Sequence, residues 1–386
     1  MAPTGGFRGI FGLGKINNIL ALLLLAGLLL GGLLLPTPAL AQNVYVASGV
    51  PVDVTGDAAT LRDQAVVMAQ REALKKILAE IAPADQVAGL ILPSDDVIGG
   101  WVSDVEIEEE KMAATHYIGR YTVRFQAAPI QEFLGSEGVA FAETRSKQML
   151  LIPIFTDETG NTGLWGPTNQ WLAAWTTRPP SNALVPIVVP RGDLDDQNTL
   201  SATEALGGNE PKLEFMGERY QAGDVVVAEA RMSPAGADGR RSLALDVTRH
   251  GLDGTEKFQE TLTGDAADPD GLMVQGVATV QAMLEGAWKD ANLVDPNQRA
   301  TVSVHVPLAG IEQWVAIKRR LGQVSLIKGV NLKELAKSGA ELEISYAGDE
   351  AQFIRALSQA DLMMVPSGEG MATLTLGASS TATPAP

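Results

Sequence analysis

The 386-residue chain has no cysteine, three histidines, and only 5% Phe, Trp and Tyr. Without cysteine there is no disulfide, thiol nucleophile, thiolate metal site, iron-sulfur cluster or lipid-modified thiol. Basic residues are scarce too: 29 Lys and Arg face 46 Asp and Glu, a formal net charge of −17. Long-range repulsion from phosphate backbones follows, so nucleic acid is not an expected partner. Neither a G-x-x-x-x-G-K-[ST] nor a G-x-G-x-x-G loop occurs, which argues against nucleotide enzymology, and there is no G-x-S-x-G nucleophile elbow. His116, His250 and His305 lie far apart in sequence, and none has a partner at metal-ligand spacing. No cofactor, metal or catalytic residue is assigned from these patterns.

What the chain does have is 46% hydrophobic residues, ample for two or three cores at roughly 100–200 residues per domain. Residues 1–41 read as a signal peptide. Arg8 and Lys15 are their only charges, an apolar run covers Ile19 to Leu35, and Ala39-Leu40-Ala41 forms a small-residue cleavage site before Gln42. An uncleaved inner-membrane anchor is the alternative, because the run approaches the length that spans a bilayer. Both place the body outside the cytoplasm, in the periplasm, with membrane contact only through this segment.

Residues 42–140 read as a βαββ module ending in a short helix. Leu61, Ala65, Met68, Ala69, Ala73, Ile77 and Ile81 recur at helical spacing, and Thr60 with Asp63 has the form of a capping box. Two alternating strands follow, around Val105 and Tyr121. Residues 148–294 read as a mixed α/β module with an antiparallel meander. Its signals are the apolar strands Leu150 to Phe155 and Leu184 to Val189, three further strands between Asp224 and Thr263, and a helix opened by Asp268 and Pro269. Residues 299–376 read as a ferredoxin-like βαββαβ module, with Ile311, Trp314, Val315 and Leu321 inward on its first helix and Asp349 capping its second. The tail 377–386 is Ala, Ser, Thr and Pro, a disordered composition. The expected class is therefore α/β (α+β): a signal peptide, then three small helix-on-sheet modules.

Several segments together resemble a proteobacterial family of exported proteins, domain of unknown function 2066. They are the Ala-rich helix Ala58 to Ile81, the strand Leu150 to Phe155, and Pro186 to Pro190 followed by Asp193-Leu194-Asp195-Asp196-Gln197. Arg219-Tyr220 before Asp224 to Val227, and Tyr346-Ala347-Gly348-Asp349 before the last helix, extend the likeness over most of residues 44–366. The resemblance implies an exported location and a domain plan, and carries over no catalytic residue.

Four clusters invite a chemical reading. Asp193, Asp195, Gln197, Thr199, Ser201 and Glu204 fall at positions 1, 3, 5, 7, 9 and 12 of a calcium-loop template. However, Asn198 stands where the turn wants glycine and a strand precedes the segment, so a capped turn containing Asp193, Asp195 and Asp196 is the simpler account. Ser325-Leu326-Ile327-Lys328 matches S-x-x-K but lies on an expected strand, where the two side chains point to opposite faces. Trp165, Trp171 and Trp175 form an aromatic cluster that either fills a core or stacks on a sugar or peptide. The acids Glu106, Glu108, Glu109 and Glu110 face a strand carrying Arg120 and Arg124, an arrangement suited to cross-strand pairing.

The expected function is that of a non-enzymatic periplasmic protein that binds an envelope protein partner in assembly or maintenance, through sheet edges and the segment bearing Trp165, Trp171, Trp175, Asp193, Asp195 and Asp196. A glycan or peptide binder using the Trp cluster, and a hydrolase with a site built from distant residues, are the two alternatives.

Overall fold

The computed structural model describes residues 44–179, 183–251, 254–367 and 371–377. The expected signal peptide, its Gln42 junction and the tail beyond Gly377 lie outside them. The described chain is mixed α/β with three helix-on-sheet modules. No helix among the described residues is long and apolar enough to cross a membrane.

The first module runs β1 (Val46–Thr55), α1 (Leu61–Ile81), α2 (Ala84–Ala88), α3 (Asp95–Trp101), β2 (Val102–Met112), β3 (His116–Phe125) and α4 (Ala127–Ser136). Its strands form an antiparallel sheet in the order β1-β3-β2. Val50, Val52 and Val54 alternate inward on β1 and meet the buried stripe of α1. Ala65, Ala69 and Ala73 in that stripe are small, which lets the helix axis approach the sheet. The stripe drifts toward Leu74 and Leu78 along the helix, so Met68, expected inside, is exposed. The expected Thr60–Asp63 capping box does not form. Thr60 has near-helical torsions (φ −119°, ψ −7°), and its hydroxyl donates to the Asp57 carbonyl and accepts from the Gln64 side chain rather than from a backbone N–H of the helix. On β3 the hydroxyls of buried Tyr117 and Tyr121 meet at 2.7 Å across Gly119, where a Cβ would fall 2.7–2.8 Å from the two rings.

The second module runs β4 (Met149–Thr156), β5 (Thr162–Gly163), α5 (Gln170–Thr177), β6 (Ile187–Val188), α6 (Leu194–Thr199), α7 (Ala202–Leu206), α8 (Glu210–Arg219), β7 (Asp224–Met232), β8 (Arg240–Gly251), β9 (Gly254–Asp265) and α9 (Pro269–Ala291). β4 pairs parallel with β7, and β7-β8-β9 is the antiparallel meander. Both faces of β4 are covered, which explains its unbroken apolar run. Leu150, Ile152 and Ile154 face Leu200, Leu213 and Met216 on the α6–α8 side, while Met149 and Leu151 face the α5 and α9 side. Asp268 accepts from the Gly271 N–H with Pro269 at the first position of α9, as the sequence requires.

The core on the α5 and α9 side is continuous with that of the first module. Trp288 Nε1 donates to the Thr144 carbonyl at 2.7 Å, and Lys289 Nζ donates to the carbonyls of Ala79 and Ala82. The segment joining α4 to β4 is held in the same seam. Ala142 N donates to the Ile81 carbonyl at 2.7 Å, and Phe141 forms an antiparallel bridge with Val294.

The third module runs β10 (Arg299–Pro307), α10 (Ile311–Leu321), β11 (Ile327–Ala336), β12 (Gly339–Ala347), α11 (Glu350–Gln359), β13 (Leu362–Ser367) and β14 (Met371–Leu376). The βαββαβ order is present, with one addition. β14 pairs parallel with β10 and antiparallel with β13, giving the order β11-β12-β10-β14-β13. Asp349 and Gln352 form the capping box of α11, and Tyr346 stacks on Phe353 at 4.1 Å. On α10 the inward stripe is Trp314, Ile317 and Leu321 at i, i+3 and i+7. Ile311 and Val315, expected inward, fall on the flank of that stripe and are exposed.

Candidate functional site

The aromatic cluster is core. Trp171 and Trp175 sit one turn apart on α5 and are both 0% exposed, their rings edge to face at 5.6 Å. Trp171 Nε1 donates to the Ala228 carbonyl, which locks the ring against β7. Neither ring offers a face to a sugar or peptide, so Trp171 and Trp175 fill the core rather than form a stacking surface. Trp165 is half-buried, and its Nε1 donates to the Leu200 carbonyl at 2.8 Å.

The acidic turn is a clasp. Asp193 caps α6 by accepting from the Asp196 N–H. Asp196 is 0% exposed, and its Oδ2 accepts from Gly192 N at 2.9 Å and from Tyr220 Oη at 2.6 Å. Arg219 then spans all three acids, with nitrogen–oxygen distances of 3.0 Å to Asp193, 3.5 Å to Asp195 and 3.3 Å to Asp196. Burial, followed by the hydrogen bond to Asp196, raises the Tyr220 hydroxyl above its ordinary pKa. Ser201 and Glu204, the last two positions of the calcium template, are consumed in the capping box of α7. Lys212 and Ser201 hold the Glu204 carboxyl down at about 2. Among the described residues no group of three or more His, Asp or Glu is placed to hold a metal ion.

The glutamate run on β2 is paired cross-strand only in part: Glu106 meets Arg124, whereas Glu108 accepts from Thr122 and Gly49 and Glu110 turns to the helix. Arg124 meets Asp104 at 2.8 Å and Glu106 at 3.4 Å, and Glu110 takes both of its closest bonds from Arg62 on α1. Ser325 and Lys328 do not form a nucleophile–base pair. Ser325 lies in the turn before β11, and Lys328 Nζ bonds its backbone carbonyl at 3.3 Å.

Lys328 instead points to a site that the sequence did not reveal. A cavity of about 390 Å³ lies between α4, the segment leading to β4, and the third module. Its apolar wall includes Phe141, Val294, Pro296 and Leu326; its polar lining is Gln131, Glu132, Glu143, Asn297, Arg299 and Lys328. The Glu143 side chain is 4% exposed. Its Oε1 accepts from Tyr45 Oη and from Gln131 Nε2, and its Oε2 stands 3.7 Å from Lys328 Nζ. Burial raises this carboxyl to about 7, with Lys328 acting in the opposite direction. The only local sequence signal was a lone acid directly after the apolar stretch Val139 to Ala142.

The second feature is an uncovered sheet edge. β11 is ten residues long and almost wholly exposed. Val330 and Leu332 are in register with Ile344 and Leu342, and Leu335 with Ala340; those partners are at most 1% exposed, yet the three β11 residues remain 45–48% exposed. The helices thus cover β12 and stop short of β11. Charge marks several edges: β2 is lined with acids, β9 carries Glu256, Lys257 and Glu260, and β11 itself carries Lys328, Lys333 and Glu334 around its apolar Val330, Leu332 and Leu335, while β13 is short and contains Pro366.

No family model and no curated protein matches the chain. Among solved structures, a lipoprotein of Neisseria meningitidis, GNA1162, aligns over 36% of this chain and 99% of its own, at 12% identity and a TM-score of 0.25. A formyltetrahydrofolate deformylase of Pseudomonas putida aligns over 62% of this chain and 92% of its own, at 11% identity and a TM-score of 0.18. Likenesses of this size carry no functional argument.

Proposed function

We propose that the protein is an exported, non-enzymatic factor of the cell envelope that binds an extended segment of a protein partner by strand addition to β11. The observation that carries this reading is the edge itself: three apolar side chains in register with a buried core, left open along a strand with free hydrogen-bonding potential on its outer side. Irregular register at Ile327/Gly329 and Leu332/Glu334 brackets a regular stretch from Gly329 to Leu332, which sets the length over which a partner strand would pair. An incoming strand would gain main-chain bonds there and place alternate apolar residues beside Val330 and Leu332. The signal-like residues 1–41 and the resemblance to the exported domain-of-unknown-function 2066 family support the envelope location.

The test is photocrosslinking in intact cells from a reactive residue at position 331, compared with position 260 on β9. A discrete adduct from position 331 that is missing from position 260 supports strand addition at β11. Equal adducts from both positions, or none, would remove β11 as the binding edge.

A further inference from the structure

We propose that the cavity beside Glu143 is a binding site for a small zwitterion, a free amino acid or a dipeptide, distinct from the Val330–Leu335 stretch of β11 although Lys328 at the start of that strand lines it. Its volume, about 390 Å³, lies in the roughly 300–1,000 Å³ range of small-molecule pockets, and its lining mixes an apolar wall with a few convergent polar groups.

The charges choose the ligand class. Two acids, Glu143 and Glu132, and two bases, Lys328 and Arg299, line one space. A purely anionic ligand would face two carboxyl groups and a purely cationic one two bases. A molecule carrying one ammonium and one carboxylate matches both pairs. Lys328 at 3.7 Å does not close a hydrogen bond to Glu143 Oε2, so that oxygen retains acceptor capacity for a ligand ammonium. Glu132 and Arg299 make no ion pair among the described residues, which leaves their charges to the ligand. The apolar wall of Phe141, Val294 and Leu326 would receive the side chain. The Glu143 carboxyl is held at its Oε1 by Tyr45, just before β1, and by Gln131 on α4, so its position is set before any ligand arrives.

Titration calorimetry on the purified protein with alanyl-leucine tests the proposal, with N-acetyl-alanyl-leucine lacking the ammonium and alanyl-leucinamide lacking the carboxylate. Saturable binding of alanyl-leucine is expected, with each singly charged analogue at least tenfold weaker. Glu143→Gln and Arg299→Ala should each weaken alanyl-leucine at least tenfold. Because the Glu143 carboxyl titrates near 7, binding at pH 7 should also release a fraction of a proton, seen as a heat that depends on the buffer's ionisation enthalpy. Arg299 is exposed, so its variant keeps the test valid even if Glu143→Gln disturbs folding. Absence of saturable binding, equal binding of the acetylated analogue, or unweakened binding by folded Arg299→Ala would each overturn the proposal.

Discussion

Lys328 Nζ stands 3.7 Å from the buried Oε2 of Glu143, and this contact joins the third module to the segment between the first two. Tyr45 and Gln131 reach the same carboxyl from the first module. A single ionisable group on the segment leading to β4 is therefore held by the first and third modules.

Stability should register its titration. The folded pKa of Glu143, about 7, lies above the ordinary glutamate value of 4.5. The stabilising contribution is thus fully present below about pH 4.5 and is lost as pH rises through about 7. Glutamine keeps an acceptor for Tyr45 and cannot ionise. Glu143→Gln should therefore gain on the wild type by something on the order of 2–3 kcal/mol between pH 5 and pH 8. Glu285, which burial and then Glu80 also raise to about 7, titrates in both proteins and cancels in the difference. Urea unfolding of the pair at several pH values gives the answer, and a pH-independent difference would contradict this account.

Trp171 is expected to behave as a core residue. Trp171→Ala should cost about 3–5 kcal/mol, in the range of large aromatic truncations. Peptidoglycan fragments should leave the intrinsic fluorescence of the wild type unchanged, since both α5 rings are covered. Denaturant melts and a fluorescence titration check the two halves separately.

The acidic clasp distinguishes neighbouring aspartates. Asp196 is fully buried and accepts from Gly192 N and Tyr220 Oη, while Arg219 keeps Asp193 as a partner, so Asp196→Ala should destabilise by about 1–3 kcal/mol, the cost of leaving buried donors unpaired. Asp195 is 78% exposed and 3.5 Å from Arg219, and Asp195→Ala should stay within about 0.5 kcal/mol. Added calcium should not shift the melting temperature, because the template positions are already bonded within the chain. A calcium-dependent rise would restore the metal reading.

Most elements were legible because their signals are local. An unbroken apolar run marked β4, alternation marked β10, turn residues bounded β7 and β8, and Asp268 with Pro269 and Asp349 marked two helix starts. β14 also carried a period-two signal, Ala372 and Leu374 inward in Met-Ala-Thr-Leu-Thr-Leu, but no local rule announces that a strand will insert beside β10. Helix faces were less exact at Met68, Ile311 and Val315, because twist between helix and sheet decides which flank is covered. The Glu143 site was hidden for a different reason. Tyr45 lies 98 positions away along the chain, and the raised pKa arises from burial that exists only once the modules pack.

The central claim, that β11 is the partner-binding edge, is tested most directly by Leu332→Lys. Lysine at 332 replaces an apolar contact for the incoming strand with a charge inside the regular Gly329–Leu332 stretch, which disfavours strand addition there. Leu332 is nearly half exposed, so the folded state should lose little. With the position-331 crosslinker in place, the account predicts a melting temperature unchanged within about 2–4 °C, the shift expected for about 1 kcal/mol, and loss of the adduct. An adduct that persists at full yield in the folded variant would contradict it.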